Sequence, residues 1–157
     1  MQAEPITSSR TTETFPAPLG PNHTLRALSS RFEPSTYAVF RMVLGALFAC
    51  HGAQKVFGLM GGTSLPAGSQ LWLGGLIEIS AGLLIAVGLF TRAAAFLASG
   101  TMAVAYFQFH WRFAVTGGKW LPIVNQGELA VVYCFALLYI ATRGPGSASL
   151  DHRRNLH

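Results

Sequence analysis

The stretch that decides the fold is LWLGGLIEISAGLLIAVGLF, residues 71–90, where one ionisable residue, Glu78, interrupts a run of apolar and small side chains. An α-helix rises about 1.5 Å per residue, so about 20 apolar residues span a hydrocarbon core of roughly 30 Å. The stretch has this length. It therefore predicts a transmembrane helix that carries a carboxyl group at membrane depth.

Three further apolar stretches have a similar length, at residues 37–57, 93–113 and 123–142. The break at Thr91–Arg92 is very short, which predicts an antiparallel hairpin of the second and third helices. The sequence thus predicts an all-α membrane protein with an up-down bundle of four transmembrane helices over residues 37–143. Small residues are expected to let these helices approach closely in lipid: Gly45, Gly75, Gly82, Gly88, Ala94, Ala98 and Gly100.

The composition also favours a membrane protein. Half of the 157 residues are hydrophobic (51%), only 11% are charged and the mean hydropathy is +0.41, whereas soluble domains carry about 25% charged residues. The net charge of +5 comes from basic residues scattered at helix ends, so no nucleic-acid partner is expected. The expected partners are the lipid bilayer and other proteins of a membrane complex.

The positions of the basic residues predict the orientation. Cytoplasmic loops of membrane proteins carry an excess of Lys and Arg. A cytoplasmic N-terminus leaves only Lys55, Arg112 and Lys119 on the outer side, and both termini are therefore predicted to be cytoplasmic. The inner side then receives Arg10, Arg26, Arg31, Arg41, Arg92, Arg143, Arg153 and Arg154.

The two ends of the chain are predicted to be tails. Residues 1–36 are polar and rich in Pro, Ser and Thr, which indicates a largely disordered segment. Within it, residues 23–32 repeat apolar side chains at helical spacing, which is typical either of a short amphipathic helix on an anionic membrane surface or of a frayed linker. No leading basic and apolar run precedes the first span, which is expected to be permanent. Residues 144–157 are predicted to form a short cytoplasmic tail.

Polar side chains of all four stretches fall toward one end of the predicted bundle. Counting along the helices places His51 roughly 9 Å and Glu78 roughly 10 Å below the same surface. His51 and Lys55 are four residues apart and share a helix face. A charged group at membrane depth costs about 2.5–3.5 kcal/mol, so such groups usually face the bundle interior and pair with one another. The sequence therefore predicts one shared polar layer.

The candidate catalytic residues of this layer are His51, Lys55 and Glu78. Glu78 beside Lys55 or His51 would ionise, whereas buried alone it would be neutral. The candidate substrate-binding residues are Gln54, Tyr106, His110, Asn125 and Glu128.

Each candidate also has a purely structural interpretation. Glu78 could form an ion pair that holds two helices together, and His51 could hydrogen-bond between helices. Lys55 could extend to the interface, and His110 lies at the boundary beside a tryptophan. Glu128 could stabilise the first turn of its own helix through the helix dipole.

A pocket that combines His and a carboxylate with apolar walls suits proton exchange with a lipid-soluble redox carrier, and quinone is the cofactor expected here. The sequence has no evident haem-ligand pair and no flavin motif. Cys50 and Cys134 form no CxxC motif and no Cys/His cluster, so no metal site is expected. Electrons would have to come from a partner or pass between bound carriers.

Three segments resemble the DoxX family. They are HGAQKVFG at 51–58, LGGLIEISAGLLIAVGLFTRAAA at 73–95 and NQGELAVVYCFALLYIATRGPGSASLD at 125–151. The resemblance spans about residues 37–151 and keeps the order and spacing of the family motifs. It implies a multi-pass protein of the prokaryotic plasma (inner) membrane. By motif position it points to His51, Gln54, Lys55, Glu78, Asn125 and Glu128, whereas His110 lies in a helix that is variable in the family.

The family resemblance implies a subunit of a quinone-interacting membrane oxidoreductase system. The alternative is a non-catalytic structural or accessory helical subunit of a larger membrane complex. A small transporter or proton conduit is disfavoured, because the inner halves LLIAVGLF and CFALLYIA are expected to be dry.

Overall fold

The computed structural model describes residues 23–154, with side chains from Ser29 onward, and every regular element in this range is helical. The predicted disorder of residues 1–22 concerns a segment outside the described residues. One compact unit begins at Phe32, and all contacts given below lie within it. The elements are α1 (His23–Phe57), α2 (Gln70–Val87), α3 (Thr91–Ala105), a π-helical segment (Tyr106–Trp111), a 3-10 turn (Thr116–Gly118), α4 (Pro122–Asn125), α5 (Glu128–Arg143) and α6 (Leu150–Arg153).

Contacts between helix ends show that α1, α2, α3 and α5 alternate in direction. Arg41, early in α1, bonds the end of α2, and Lys55, late in α1, pairs with Glu78 of α2. The amide of Gln70 at the start of α2 donates to Gln108, beyond the end of α3 (2.5 Å). The all-helical class and the antiparallel α2–α3 hairpin are therefore as predicted. Residues 23–32 are helical and belong to α1, which contains Pro34.

Four glycines bring α1 and α2 into backbone contact. Gly45 and Gly52 are seven residues apart on α1, and Gly75 and Gly82 are seven apart on α2, so each pair lies on one face two turns apart. A Cβ atom on Gly82 would lie 2.6 Å from the backbone nitrogen of Ala49 and from the carbonyl oxygen of Gly45. The predicted close approach is confirmed here. The prediction of close approach is wrong for Gly100, because a Cβ atom added there would meet nothing within 4 Å.

Alanines pack in the interior of α3 beside larger buried residues such as Phe48 and Leu137, and many large apolar side chains cover the outside. Ala95 and Ala98 are fully buried, whereas Phe96 is 69% exposed and Phe135 is 66% exposed. This is the arrangement expected where lipid, not water, surrounds the helices, because close packing of small residues then drives association. Ser29–Phe57 and Gln70–Val87 are each long and apolar enough to cross a membrane.

The third and fourth stretches are not the continuous α-helices that their apolar length predicts. After Ala105 the chain widens into the π-helical segment, and Arg112 and Phe113 then adopt positive φ angles that end the helix. The fourth stretch breaks at Gln126 (φ 59°), because the Asn125 side chain accepts a hydrogen bond from the Gly127 amide (2.8 Å) and stabilises a turn there.

Arg41 organises the opposite end of the unit, where the sequence predicted little polar structure. Its side chain is fully buried and donates to the carbonyl oxygens of Ile85, Ala86 (2.8 Å) and Ala148 (2.5 Å). The last carbonyls of a helix have no partner within the helix, and a cation suits the negative end of its dipole. Arg41 thus caps α2 and ties the segment after α5 to it.

Asp151 performs the complementary role at the start of α3. Its carboxylate accepts hydrogen bonds from the backbone amides of Phe90 and Thr91 and from the Thr91 hydroxyl, each 2.9 Å long. Burial alone would raise the pKa of Asp151, but these three hydrogen bonds and the charge of Arg41 outweigh it and hold the pKa below its ordinary value. The predicted C-terminal tail is therefore packed onto the helices as far as Asp151; its cytoplasmic location stays a prediction.

We expect Asp151→Asn to lower the free energy of unfolding by about 1–3 kcal/mol, because the amide cannot accept all three donors and leaves buried groups unpaired. Thermal unfolding in detergent measures this loss, and Glu128→Gln, at an exposed carboxylate, is the matched control.

The pH dependence of this loss has a definite sign. A carboxyl whose pKa is lower in the folded state stabilises fully above its unfolded pKa, near 3.9, and loses the effect as pH falls through the folded value. The gap between wild type and Asp151→Asn should therefore be constant near neutral pH and shrink only below about pH 4. A gap that widens on acidification would contradict the assigned hydrogen bonds.

Candidate functional site

The centre of the site is an ion pair between the Lys55 ammonium and Glu78 Oε1. Glu78 is only 1% exposed, whereas the Lys55 side chain remains 33% exposed. The other carboxylate oxygen, Glu78 Oε2, is buried and has no hydrogen-bond partner among the described residues. A buried oxygen without a partner costs free energy, so this atom calls for an explanation.

The glycine contact between α1 and α2 creates this pair. Gly75 lies one turn before Glu78, and a Cβ atom there would approach the Lys55 Cβ to 3.0 Å. Because Gly75 has no side chain, the Lys55 stem passes over α2 and its ammonium reaches the carboxylate. Lys55 and Glu78 therefore lie in contact in the structure, as the sequence predicted.

A cavity of about 240 Å³ adjoins the pair and gathers polar groups from four segments of the chain. We call it the polar cavity. It brings the three predicted catalytic residues together with His110 of the π-helical segment. Its lining consists of Phe48, His51, Lys55, Glu78, Met102, Ala105, His110, Gln126, Leu129, Ala130 and Tyr133.

Tyr133 is a member of this cavity that sequence reasoning missed. It is 5% exposed, and its ring meets the His51 imidazole edge to face, with centroids 5.8 Å apart, and the Phe48 ring at 5.4 Å. The spacing of the sequence could have indicated that Tyr133 lies in the cavity, because Gln126, Ala130 and Tyr133 follow one another by four and three residues. The apolar run around Tyr133 concealed its hydroxyl.

His110 reaches the cavity because the π-helical segment changes the register at the end of the third helix. Its Nδ1 atom lies 3.3 Å from the carbonyl oxygen of Asn125, within hydrogen-bond distance. Single-turn π-helices recur at functional sites, where they redirect one side chain. This link fixes the imidazole against the turn that opens the fourth stretch.

The remaining predicted residues lie outside the polar cavity, and three of them stabilise loops. Gln54 donates to the carbonyl of Met60 (3.2 Å), and Asn125 donates to that of Lys119 (2.9 Å). The Tyr106 hydroxyl donates to the carbonyl of Trp120 (2.5 Å). Glu128 is exposed at the start of α5. The structure thus divides the predicted set into a cavity group and a loop group.

A larger cavity of about 510 Å³ lies between α2 and α3 and shares Lys55 and Glu78 with the polar cavity. We call it the α2–α3 groove. The ion pair accordingly lies between a polar compartment and an almost wholly apolar one. The groove is lined by Lys55, Gln70, Leu71, Leu73, Gly74, Ile77, Glu78, Phe96, Leu97, Gly100, Thr101, Val104, Ala105 and Phe109.

Comparison with known proteins identifies the family. The DoxX family model matches residues 36–111, which include His51, Lys55, Glu78 and His110. An uncharacterized protein of Haemophilus influenzae is 37% identical over 127 residues, which cover 78% of this chain and 93% of that protein. No solved structure matches. The matched region contains the first two of the three motifs, at 51–58 and 73–95, together with the ion pair and both cavity histidines, and the chain belongs to the DoxX family.

Proposed function

We propose that this protein is a membrane subunit of a quinone-interacting oxidoreductase system, in which the Lys55–Glu78 pair binds the quinone ring. The observation that carries the proposal is the buried Glu78 Oε2, which has no hydrogen-bond partner among the described residues, on a side chain that lines both the apolar α2–α3 groove and the polar cavity. Such a position suits a molecule that is apolar in one part and exchanges protons in another.

The residues fit this class of ligand. A quinone ring carries carbonyl oxygens that accept hydrogen bonds, and its reduced form carries hydroxyls that donate them. The Lys55 ammonium can donate to the first, and Glu78 Oε2 can accept from the second. When bound, the quinone supplies the redox chemistry. Lys55 and Glu78 orient the ring and hold the proton at its oxygen.

The polar cavity supports proton movement to and from this position. His51 and His110 line it together with Glu78, and imidazoles are suited to relay protons near neutral pH. Tyr133 packs against His51 and restricts its orientation. Gln126 is exposed at the edge of the cavity, where water can supply protons. Electrons come in this proposal from a partner protein of the membrane complex.

We further propose that four segments cross a prokaryotic plasma membrane and that both termini are cytoplasmic. In addition to α1 and α2, the 15 residues of α3 continue into the 6 of the π-helical segment, and the 16 of α5 follow α4. The alternating helix directions support an even number of crossings. The excess of basic residues at the Arg41 end supports its cytoplasmic location.

A second candidate function is a non-catalytic accessory subunit of a larger membrane complex. The same ion pair favours it, because Lys55 and Glu78 also join α1 to α2 and could serve packing alone. In that case the polar cavity would have no ligand, and replacement of Glu78 would act only through the stability of the protein.

We expect Glu78→Gln to weaken binding of the reduced form, the quinol, by roughly tenfold to a hundredfold, the effect of losing a hydrogen bond to a charged group. The measurement is an anaerobic calorimetric titration of the purified protein in detergent with a short-chain quinol. Glu128→Gln, at an exposed carboxylate outside both cavities, should bind as the wild type does.

Thermal unfolding of both variants separates binding from stability. Unchanged quinol affinity in a folded Glu78→Gln protein would refute the proposed site. If the variant instead lowers only the amount of protein and of a copurified partner complex, the accessory function is favoured.

The topology is tested by reporter fusions. A fluorescent protein fused after residue 154 should fluoresce, since it folds in the cytoplasm, and alkaline phosphatase inserted at Gly117 should be active, since it requires the outer compartment. The reverse pattern would place the termini outside and contradict the count of basic residues.

A further inference from the structure

We propose that the α2–α3 groove holds the prenyl tail of the quinone and that Gly74 and Gly100 keep the space for it. The inference rests on the proposed function, because it takes the ring to lie at the Lys55–Glu78 pair. It adds the substrate class, a quinone with a long apolar tail, and two residues that determine specificity for that tail.

The first observation is that two kinds of helical glycine occur in this protein. At Gly52, Gly75 and Gly82 a Cβ atom would collide with the neighbouring helix, so packing requires glycine there. At Gly74 and Gly100 an added Cβ would meet nothing within 4 Å. Packing within the described chain gives no reason for glycine at these two positions.

Glycine in a helix interior is also unfavourable, since it loses more conformational freedom on folding than alanine does. Gly74 and Gly100 thus reduce helix stability without improving internal packing. Both line the groove, from opposite helices. Their common effect is a wider groove, which an external molecule can fill.

The second observation is the polar end of the groove. Glu78 is 1% exposed and lines the groove, and its Oε2 atom has no partner among the described residues. Lys55, which lines the same end, supplies a donor. An occupant must therefore combine a long apolar part with a head that both donates and accepts hydrogen bonds.

The size and exposure of the groove fit such a molecule. Its volume of about 510 Å³ lies within the usual range for small-molecule sites, roughly 300–1,000 Å³. Leu73, Phe96 and Leu97 on its walls are all about half exposed or more, so a tail can enter from the lipid side. A helix of a second copy, with apolar side chains facing the groove, would leave the Glu78 oxygen unsatisfied. A tailed quinone, whose reduced form both donates and accepts hydrogen bonds, is therefore the better occupant.

The experiment compares quinones with and without a tail on wild type, Gly74→Leu and Gly100→Leu. One benzoquinone pair and one naphthoquinone pair are titrated, each as the bare ring and as its prenylated form. Wild type should bind the prenylated form at least about tenfold more tightly, the gain from burying roughly two methylene groups. Each glycine variant should lose this preference while its affinity for the bare ring stays within about twofold.

Ala93→Leu is the matched control, since it adds the same bulk to an exposed position of α3 outside the groove. It should keep the preference for the tail. Gly74→Ala and Gly100→Ala provide milder changes that should raise or preserve the melting temperature while weakening tailed quinone, which excludes misfolding as the cause.

The outcomes separate the two proposals. If the leucine variants retain the tail preference while Glu78→Gln loses quinol, the groove assignment fails and the proposed function stands. If wild type binds neither form of either quinone, both fail. If the leucine variants change the oligomeric mass in detergent and leave the tail preference intact, a helix of a second copy occupies the groove and the inference is overturned.

Discussion

The backbone contact between α1 and α2 is the constraint on which the rest of the structure depends. Gly45 and Gly52 on one helix meet Gly82 and Gly75 on the other, and a methyl group at these positions would force the helices apart. Because the two axes are so close, the Lys55 ammonium can reach Glu78, which lies in the middle of an otherwise apolar helix. The same contact positions Glu78, and Glu78 lines both cavities. Packing and site geometry therefore have one origin.

The two ends of the unit use charge in different ways. At the Arg41 end, nearly every polar group is paired: Arg41 caps the end of α2, Asp151 caps the start of α3, and Arg92 donates to the carbonyls of Ala141 and Thr142 at the end of α5. These bonds satisfy backbone groups that would otherwise lie unpaired at low dielectric, so their role is structural. Around Glu78, one carboxylate oxygen has no partner among the described residues, and Glu78 lines two cavities. Arg41 Nε is likewise buried without a partner among the described residues, so incomplete hydrogen bonding is common to both ends. What favours a site at Glu78 is its position beside two cavities.

The sequence predicted the helical class and the central residues of the candidate site. It did not predict several local features of the helices, and the reasons are physical. Glu78 was identifiable because a lone carboxyl in an apolar run must find a partner, and the four-residue spacing of His51 and Lys55 supplied one. Helical periodicity could not anticipate the π-helical segment or the turn at Gln126, since both depend on local hydrogen bonds. It therefore could not show that Asn125, Tyr106 and Glu128 lie outside the polar cavity. Nor could it distinguish Gly75 from Gly74: the two are adjacent in sequence, yet one faces α1 and the other faces open space. That difference depends on how the helices pack in three dimensions.

Energetics argue against a purely structural role for the Lys55–Glu78 pair. Taking charges out of water costs several kcal/mol per ion, and replacing a buried ion pair with apolar residues is often neutral or stabilising by about 1–4 kcal/mol. The incomplete hydrogen bonding of Glu78 increases that cost, whereas Lys55 keeps a third of its side chain exposed and can be solvated. The glycine contact already positions α1 and α2, so their association does not depend on this pair alone. In the proposed function, the hydroxyl of a bound quinol would donate to the remaining oxygen of Glu78, which gives a reason for a costly carboxylate beside an open groove.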